Sequence, residues 1–219
     1  ILLFVPLALF GQESNLYHIP DSSFLSWLTN NHPIVITNDS LNIENSAIYS
    51  PNESGAFEVS FTNIKTLEGL QFFTSIHELY ISNNDSLVYI PSLSSINNLN
   101  WLVIDNNNSL TNSPQISGLN NLFLLEIHNN NSLSSLSDLI GLSALDRLYI
   151  VGSPLLSFIP DLSELNNLNH LLIQNLGIYS LPTLSYNTNL STLEIHSNYN
   201  LLEIPILSEL SLLNYLSIY

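Results

Sequence analysis

Chemistry in this chain would have to come from histidines and carboxylates, because cysteine is absent and the only cations are Lys65 and Arg147. Four histidines recur along it, His77, His128, His170 and His196, and the carboxylates of Glu78 and Glu126 stand close to two of them. Imidazoles and carboxylates that converge can hold zinc, at bond lengths of about 2 Å. Two carboxylates held roughly 5–9 Å apart can hydrolyse a glycosidic bond. No nucleophile motif, phosphate-binding loop or dinucleotide fingerprint accompanies them. A second set, Tyr80, Trp101, Glu126, His128, Arg147 and Tyr149, suits binding instead. Large aromatic and charged side chains of this kind concentrate at binding hot spots. Which chemistry is open depends on the elements that carry these residues.

Those elements repeat. The phrase Ile76-His-Glu-Leu79-Tyr-Ile81-Ser-Asn-Asn84 returns as Leu99-Asn-Trp-Leu102-Val-Ile104-Asp-Asn-Asn107 and Leu122-Phe-Leu-Leu125-Glu-Ile127-His-Asn-Asn130. Further copies start at Leu145, Leu168, Leu190 and Leu213, so the step is 23 residues, once 22. A weaker copy, Phe57-Glu-Val59 with Ile64 and Leu67, precedes them at the same spacing. Apolar residues alternating as Leu-x-Ile predict a short strand with one buried face. The asparagine in ninth place, at 84, 107, 130 and 198, suits a turn whose buried backbone groups need a side-chain amide. Stacked copies would form an amide ladder, interrupted where Ser153 and Leu176 occupy that place. In the second half of several copies an Ile/Leu-Pro-x-Leu segment recurs, as at 90–93, 159–162, 181–184 and 204–207. Proline fixes φ and removes an N–H, so these segments cannot open a long helix. One repeat cannot bury its apolar side alone, and stacking completes the core.

Over residues 55–219 this pattern resembles the leucine-rich repeat, L-x-x-L-x-L-x-x-N-x-L. The resemblance implies an α/β repeat fold: a right-handed solenoid with short parallel strands on its concave face and an extended or 3-10 convex side. Before the array, Asp21 reads as the N-cap of a short amphipathic helix that buries Phe24, Leu25 and Leu28. Residues 13–54 are therefore expected to be an N-terminal cap over the first open face of the core. This part resembles secreted bacterial leucine-rich-repeat proteins, particularly those of Bacteroidetes, which are similar to internalins in repeat length. In such relatives a calcium-type loop often follows the helix. Here the corresponding stretch, Thr37 to Glu44, lacks the glycine and most carboxylates that a hard cation wants, so a plain turn is expected.

In such a sheet the residues beside the buried ones form three outward columns. The first is Glu78, Trp101, Leu124, Arg147, His170, Thr192, Tyr215; the second is Tyr80, Val103, Glu126, Tyr149, Leu172, Glu194, Ser217. The third is Ser82, Asp105, His128, Val151, Gln174, His196, Tyr219. Strands about 4.8 Å apart place His128 and His196 on the order of 14 Å from each other, which disfavours a metal site. Glu78 and Glu126 lie two strands apart on an open sheet without the closed cleft that glycosidase chemistry needs. No catalytic residue, cofactor or metal is therefore assigned. The binding set forms a footprint on the concave face, with Trp101 and Tyr149 as aromatic anchors; ordinary cross-strand pairing is the alternative use of the same residues.

Net charge is −16, from 18 acidic residues against two basic ones. Two cations cannot neutralise a phosphate backbone or adhere to anionic lipid, so nucleic acid and membrane surfaces are set aside as partners. The apolar run Ile1–Phe10 is too short to span a bilayer and reads as the core of a partial signal peptide over 1–12. The chain stops one residue past a core isoleucine, so the array is expected to continue beyond Tyr219. The expected function is a secreted or surface-displayed recognition module that binds protein or glycan, without membrane insertion of the mature chain. The alternatives are a targeting arm of a larger secreted enzyme, or a structural spacer or self-associating surface protein.

Overall fold

A computed structural model describes residues 15–49 and 55–219, so the leader expected over 1–12 lies outside the described residues. The chain enters through β1 (Leu16–Tyr17) and α1 (Ser22–Asn31), then β2 (Ile36–Thr37), β3 (Ser40–Asn42) and α2 (Ile43–Ile48). Helix α1 starts where the sequence places its cap: Asp21 Oδ1 accepts from the N–H groups of Ser23 at 2.8 Å and Phe24 at 3.0 Å. The other oxygen accepts from Lys65 N at 2.7 Å and Thr66 N at 3.0 Å, so one carboxylate both caps the helix and ties it to the array. Burial opposes its charge, yet the backbone donors of Lys65, Phe24, Thr66 and Ser23 outweigh burial and hold Asp21 below the usual carboxylate range. Phe24 and Leu28 are fully buried, as expected. Leu25 is only half-buried, and Trp27 joins the buried side instead, its ring 5.6 Å from Phe57.

Strands β1, β3 and β2 form a small antiparallel sheet. The stretch 37–44 is a reversal between β2 and β3, with Asn38 and Asp39 at φ 49° and 54°. It runs into α2, where the Asn42 side chain accepts from Asn45 N at 3.1 Å. The core of this unit, Ile19, Phe24, Leu28, Val35 and Leu41, is continuous with Phe57, Leu67, Leu70 and Phe73 of the array. Contact is direct at Gly69, where a Cβ would collide with Ile19 Cδ1.

The array contributes one strand per repeat: β4 (Ala56–Ser60), β5 (Glu78–Ser82), β6 (Trp101–Asp105), β7 (Leu124–His128), β8 (Arg147–Val151), β9 (His170–Gln174), β10 (Thr192–His196) and β11 (Tyr215–Ile218). They form one eight-stranded parallel sheet in sequence order. The three columns read from the sequence are its register, for example Glu78↔Trp101↔Leu124↔Arg147↔His170. Ala56 pairs with Glu78, so the first step is 22 residues rather than the 23 expected. Between columns, Leu79, Ile81, Leu102, Ile104, Leu148, Ile150, Leu171 and Ile173 point inward at 1% exposure or less. Full burial of each such side chain contributes roughly 1.5–3 kcal/mol.

Two devices turn the chain after every strand. The residue following each of β4 to β10 is left-handed: Phe61, Asn83, Asn106, Asn129, Gly152, Asn175 and Ser197, at φ between 52° and 66°. Asparagine and glycine tolerate this region best. The next position carries the ladder. Asn84 Oδ1 accepts from Thr62 N, Asn107 Oδ1 from Asn84 N and Asn130 Oδ1 from Asn107 N, at 2.9 to 3.1 Å. Their amide nitrogens donate back to Val59 O, Ile81 O and Ile104 O at 2.9 Å. The ladder breaks at Ser153, whose fully buried Oγ reaches no partner, and at Leu176, then resumes at Asn198, which accepts from Leu176 N. Opposite the sheet the chain runs through turns; among the described residues of the array the only 3-10 helix is Leu70–Phe72. No helix among the described residues is long and apolar enough to cross a membrane.

Candidate functional site

Alternation in each strand sends every second side chain out of the core, and parallel pairing aligns those side chains across repeats. The expected footprint therefore lies on one sheet, across β5 to β8. Trp101 and Arg147 are exposed; Tyr80, Glu126, His128 and Tyr149 are half-buried. Tyr80, Glu126 and Tyr149 share the middle column, separated only by Val103 between the first two. His128 is less available than its place in the sequence suggests, because its Nε2 is enclosed and has no hydrogen-bond partner.

Two polar clusters organise the surface. At one end Tyr80 donates its hydroxyl to Glu78 Oε2 at 2.9 Å. Burial, that bond and the nearby charges of Glu78, Glu126 and Glu58 push the Tyr80 phenol up to about 12. At the other end Tyr149 Oη lies 3.0 Å from His170 Nδ1, and His170 Nε2 lies 2.9 Å from Glu194 Oε1. A neutral imidazole protonated on Nε2 satisfies both contacts, accepting from tyrosine and donating to glutamate. Burial raises the Tyr149 phenol; Arg147 opposes the shift, and Glu126, Asp146 and Glu194 add to it. His196 Nε2 stands 3.8 Å from the other oxygen of Glu194 and 3.0 Å from Ser217 Oγ, and its ring stacks on Tyr219 at 4.1 Å.

Sequence reasoning placed His170, Glu194 and His196 on this face but did not join them. His170 and Glu194 are diagonal neighbours on adjacent strands, and a column-by-column reading misses diagonal reach. Among the described residues no group of three or more histidines and carboxylates is arranged to hold a metal ion. Phe123 was missed as well. It precedes β7, and its ring lies 5.7 Å from Arg147 Cζ, while Arg147 Nε contacts Asp146 Oδ2 at 3.3 Å. Asn84, Asn107 and Asn130 each open an Asn-x-Ser triplet of the kind that is glycosylated in secretory routes, yet all three are fully buried ladder members.

Chemically, this is an open sheet that presents aromatic rings, carboxylates and one guanidinium. Comparison with protein-family models and with curated protein sequences gives no match. Among solved structures the chain is similar to internalin C2 of Listeria monocytogenes, with 17% identity over 90% of this chain and 93% of that one, at a TM-score of 0.42. It is also similar to an internalin F of the same organism, with 16% identity over 91% and 76% of the two chains and a TM-score of 0.38. A leucine-rich-repeat protein of Leptospira interrogans shares 20% identity over 81% and 68%, at a TM-score of 0.28. The 22-to-23-residue repeat, the in-register parallel sheet and the asparagine ladder make this chain a leucine-rich-repeat solenoid on its own geometry.

Proposed function

We propose that the chain is a secreted or surface-displayed recognition module that binds a protein partner through its concave sheet, and that it does not catalyse a reaction. The observation that carries this reading is the register. It gathers Tyr80, Trp101, Glu126, Arg147 and Tyr149 onto four adjacent strands of one open surface. Tyrosine and tryptophan offer large contact area at low cost in conformational entropy, and arginine adds a planar charged fork. Of the two carboxylates weighed for catalysis, Glu78 spends one oxygen on holding Tyr80, and Glu194, outside that pair, holds His170. The secreted or surface location rests on the apolar run at 1–10, in keeping with a leader.

The test compares the wild-type chain with a variant carrying Tyr80→Ser, Trp101→Ser, Glu126→Gln, Arg147→Gln and Tyr149→Ser on arrays of extracellular proteins and of glycans. The expected result is at least one protein spot kept by the wild type and lost by the variant, with unchanged circular dichroism. Identical profiles for the two chains would sink the concave-face reading. A glycan spot that behaves this way, with no protein spot, would replace the protein partner by a sugar.

A further inference from the structure

Where the strands begin, the edge of the concave sheet holds an open hollow of about 500 Å³ lined by His77, Glu78, Asn100, Trp101, Asn121 and Phe123. That volume falls within the roughly 300–1,000 Å³ of clefts that accept small ligands. We propose that this hollow is a socket for a cationic side chain, lysine or arginine, presented by the protein partner. The inference rests on the concave-face reading and names the chemistry of its ligand.

Three observations carry it. Trp101 and Phe123 bring aromatic rings to the hollow at 40% and 38% exposure, and ring faces attract cations. One face of Phe123 is already taken by the Arg147 guanidinium, 5.7 Å from its centroid and offset by Asp146 at 3.3 Å, so Trp101 is the ring left to the ligand. The walls are also rich in acceptors. Glu78 spends Oε2 on the Tyr80 hydroxyl, and its Oε1 has no hydrogen-bond partner among the described residues. Asn100 Nδ2 donates to Asn121 O at 3.1 Å and Asn121 Nδ2 to Asn97 O at 2.8 Å. The lining keeps both amide oxygens and amide hydrogens free, and its one carboxylate, Glu78, with an open oxygen, is what favours an ammonium or guanidinium over a neutral sugar.

Charge agrees. Strands β4 to β7 carry Glu58, Glu78, Asp105 and Glu126 on their outward positions and no lysine or arginine. The whole chain stands at −16, so a partner with a basic patch is steered toward this face. The Tyr80 phenol, raised first by its burial and then by Glu78, Glu126 and Glu58, is in keeping with carboxylates near this face.

The test follows the indole N–H signal of Trp101 by NMR while N-acetyl-lysine amide is added at constant ionic strength. N-acetyl-norleucine amide, which keeps the alkyl chain and lacks the ammonium, serves as the neutral control. Saturable binding of the lysine derivative is expected, weakened about fivefold or more by Glu78→Gln and by Trp101→Ala, the latter read on the indole-adjacent amide of Asn100. Glu209→Gln, at an exposed position on a turn outside the sheet, should leave it unchanged. Equal binding of norleucine, indifference to Glu78→Gln, or saturation by a neutral methyl glucoside in place of lysine would each overturn the socket. Lysine binding here with no concave-dependent spot on the arrays would leave the socket standing and remove the recognition reading; the reverse pair of results would do the opposite.

Discussion

Phe61 is the residue that least fits its place. At φ 53° it holds the left-handed conformation that asparagine, glycine or serine holds in the later repeats, and its ring is 81% exposed. A bulky side chain in that region stores on the order of 1 kcal/mol of strain, and here little packing offsets it. Phe61→Asn should therefore raise stability by about 1 kcal/mol in thermal or urea unfolding. A decrease would mean that the exposed ring packs in a way the structure does not show. Tyr80 makes a second test at this scale. Its phenol should remain protonated above its ordinary 10.0 and titrate at about 12. A raised folded pKa means that this tyrosine adds stability in full below pH 10 and that the contribution fades as pH climbs through about 12. Glu78→Gln should move the phenolate absorbance transition back toward ordinary tyrosine. No movement would show that burial alone, the first cause, sets the value.

At the scale of elements, the turns and the cap hold the strands in place. Asn107 accepts from Asn84 N and donates to Ile81 O and Asp105 O, all within 3.1 Å. Asn107→Ala leaves buried backbone groups unpaired, so a loss of about 3 kcal/mol is expected in denaturant unfolding. Ser153→Asn, which would restore a rung where Ser153 Oγ now has no partner, should gain about 1 kcal/mol. The cap adds a pH dependence. Asp21 is held below its ordinary 3.8, so its stabilising effect is complete above that pH and is lost as pH falls through the lowered value. Asp21→Ala should cost about 2 kcal/mol at neutral pH and remove part of the acid sensitivity, measured as the melting temperature against pH. Much of this scale was legible beforehand. Leu-x-Ile alternation located the strands, asparagine spacing located the ladder and both of its breaks, and Asp21 located the start of α1. The bonds of the asparagine at 187 were not legible. It stands in a column otherwise held by Ile96, Leu119, Leu142 and Leu165, and its buried amide donates to Leu162 O and Leu165 O. Its place in the repeat marks it as buried, but spacing alone does not say which carbonyls an amide there would meet.

For the molecule as a whole, parallel stacking turns a weak repeat into one continuous core and, by the same act, lines up three columns of outward side chains. The columns could be read from spacing because a period of two along the strand and of one repeat across the sheet leaves no freedom in register. Contacts that depend on side-chain reach could not, which is why the Tyr149–His170–Glu194 chain and the Arg147–Phe123 pair emerge only in the folded structure. The fold by itself names no ligand. Exposed apolar side chains also occur on the turns, at Phe158, Tyr179 and Tyr199, and they are the natural rival surface. The most direct measurement is hydroxyl-radical footprinting of the chain with and without a protein retained on the array. Binding through the concave sheet predicts protection of Tyr80, Trp101 and Tyr149, with Phe158, Tyr179 and Tyr199 unchanged. Protection of the turn residues with the sheet unaltered would contradict it.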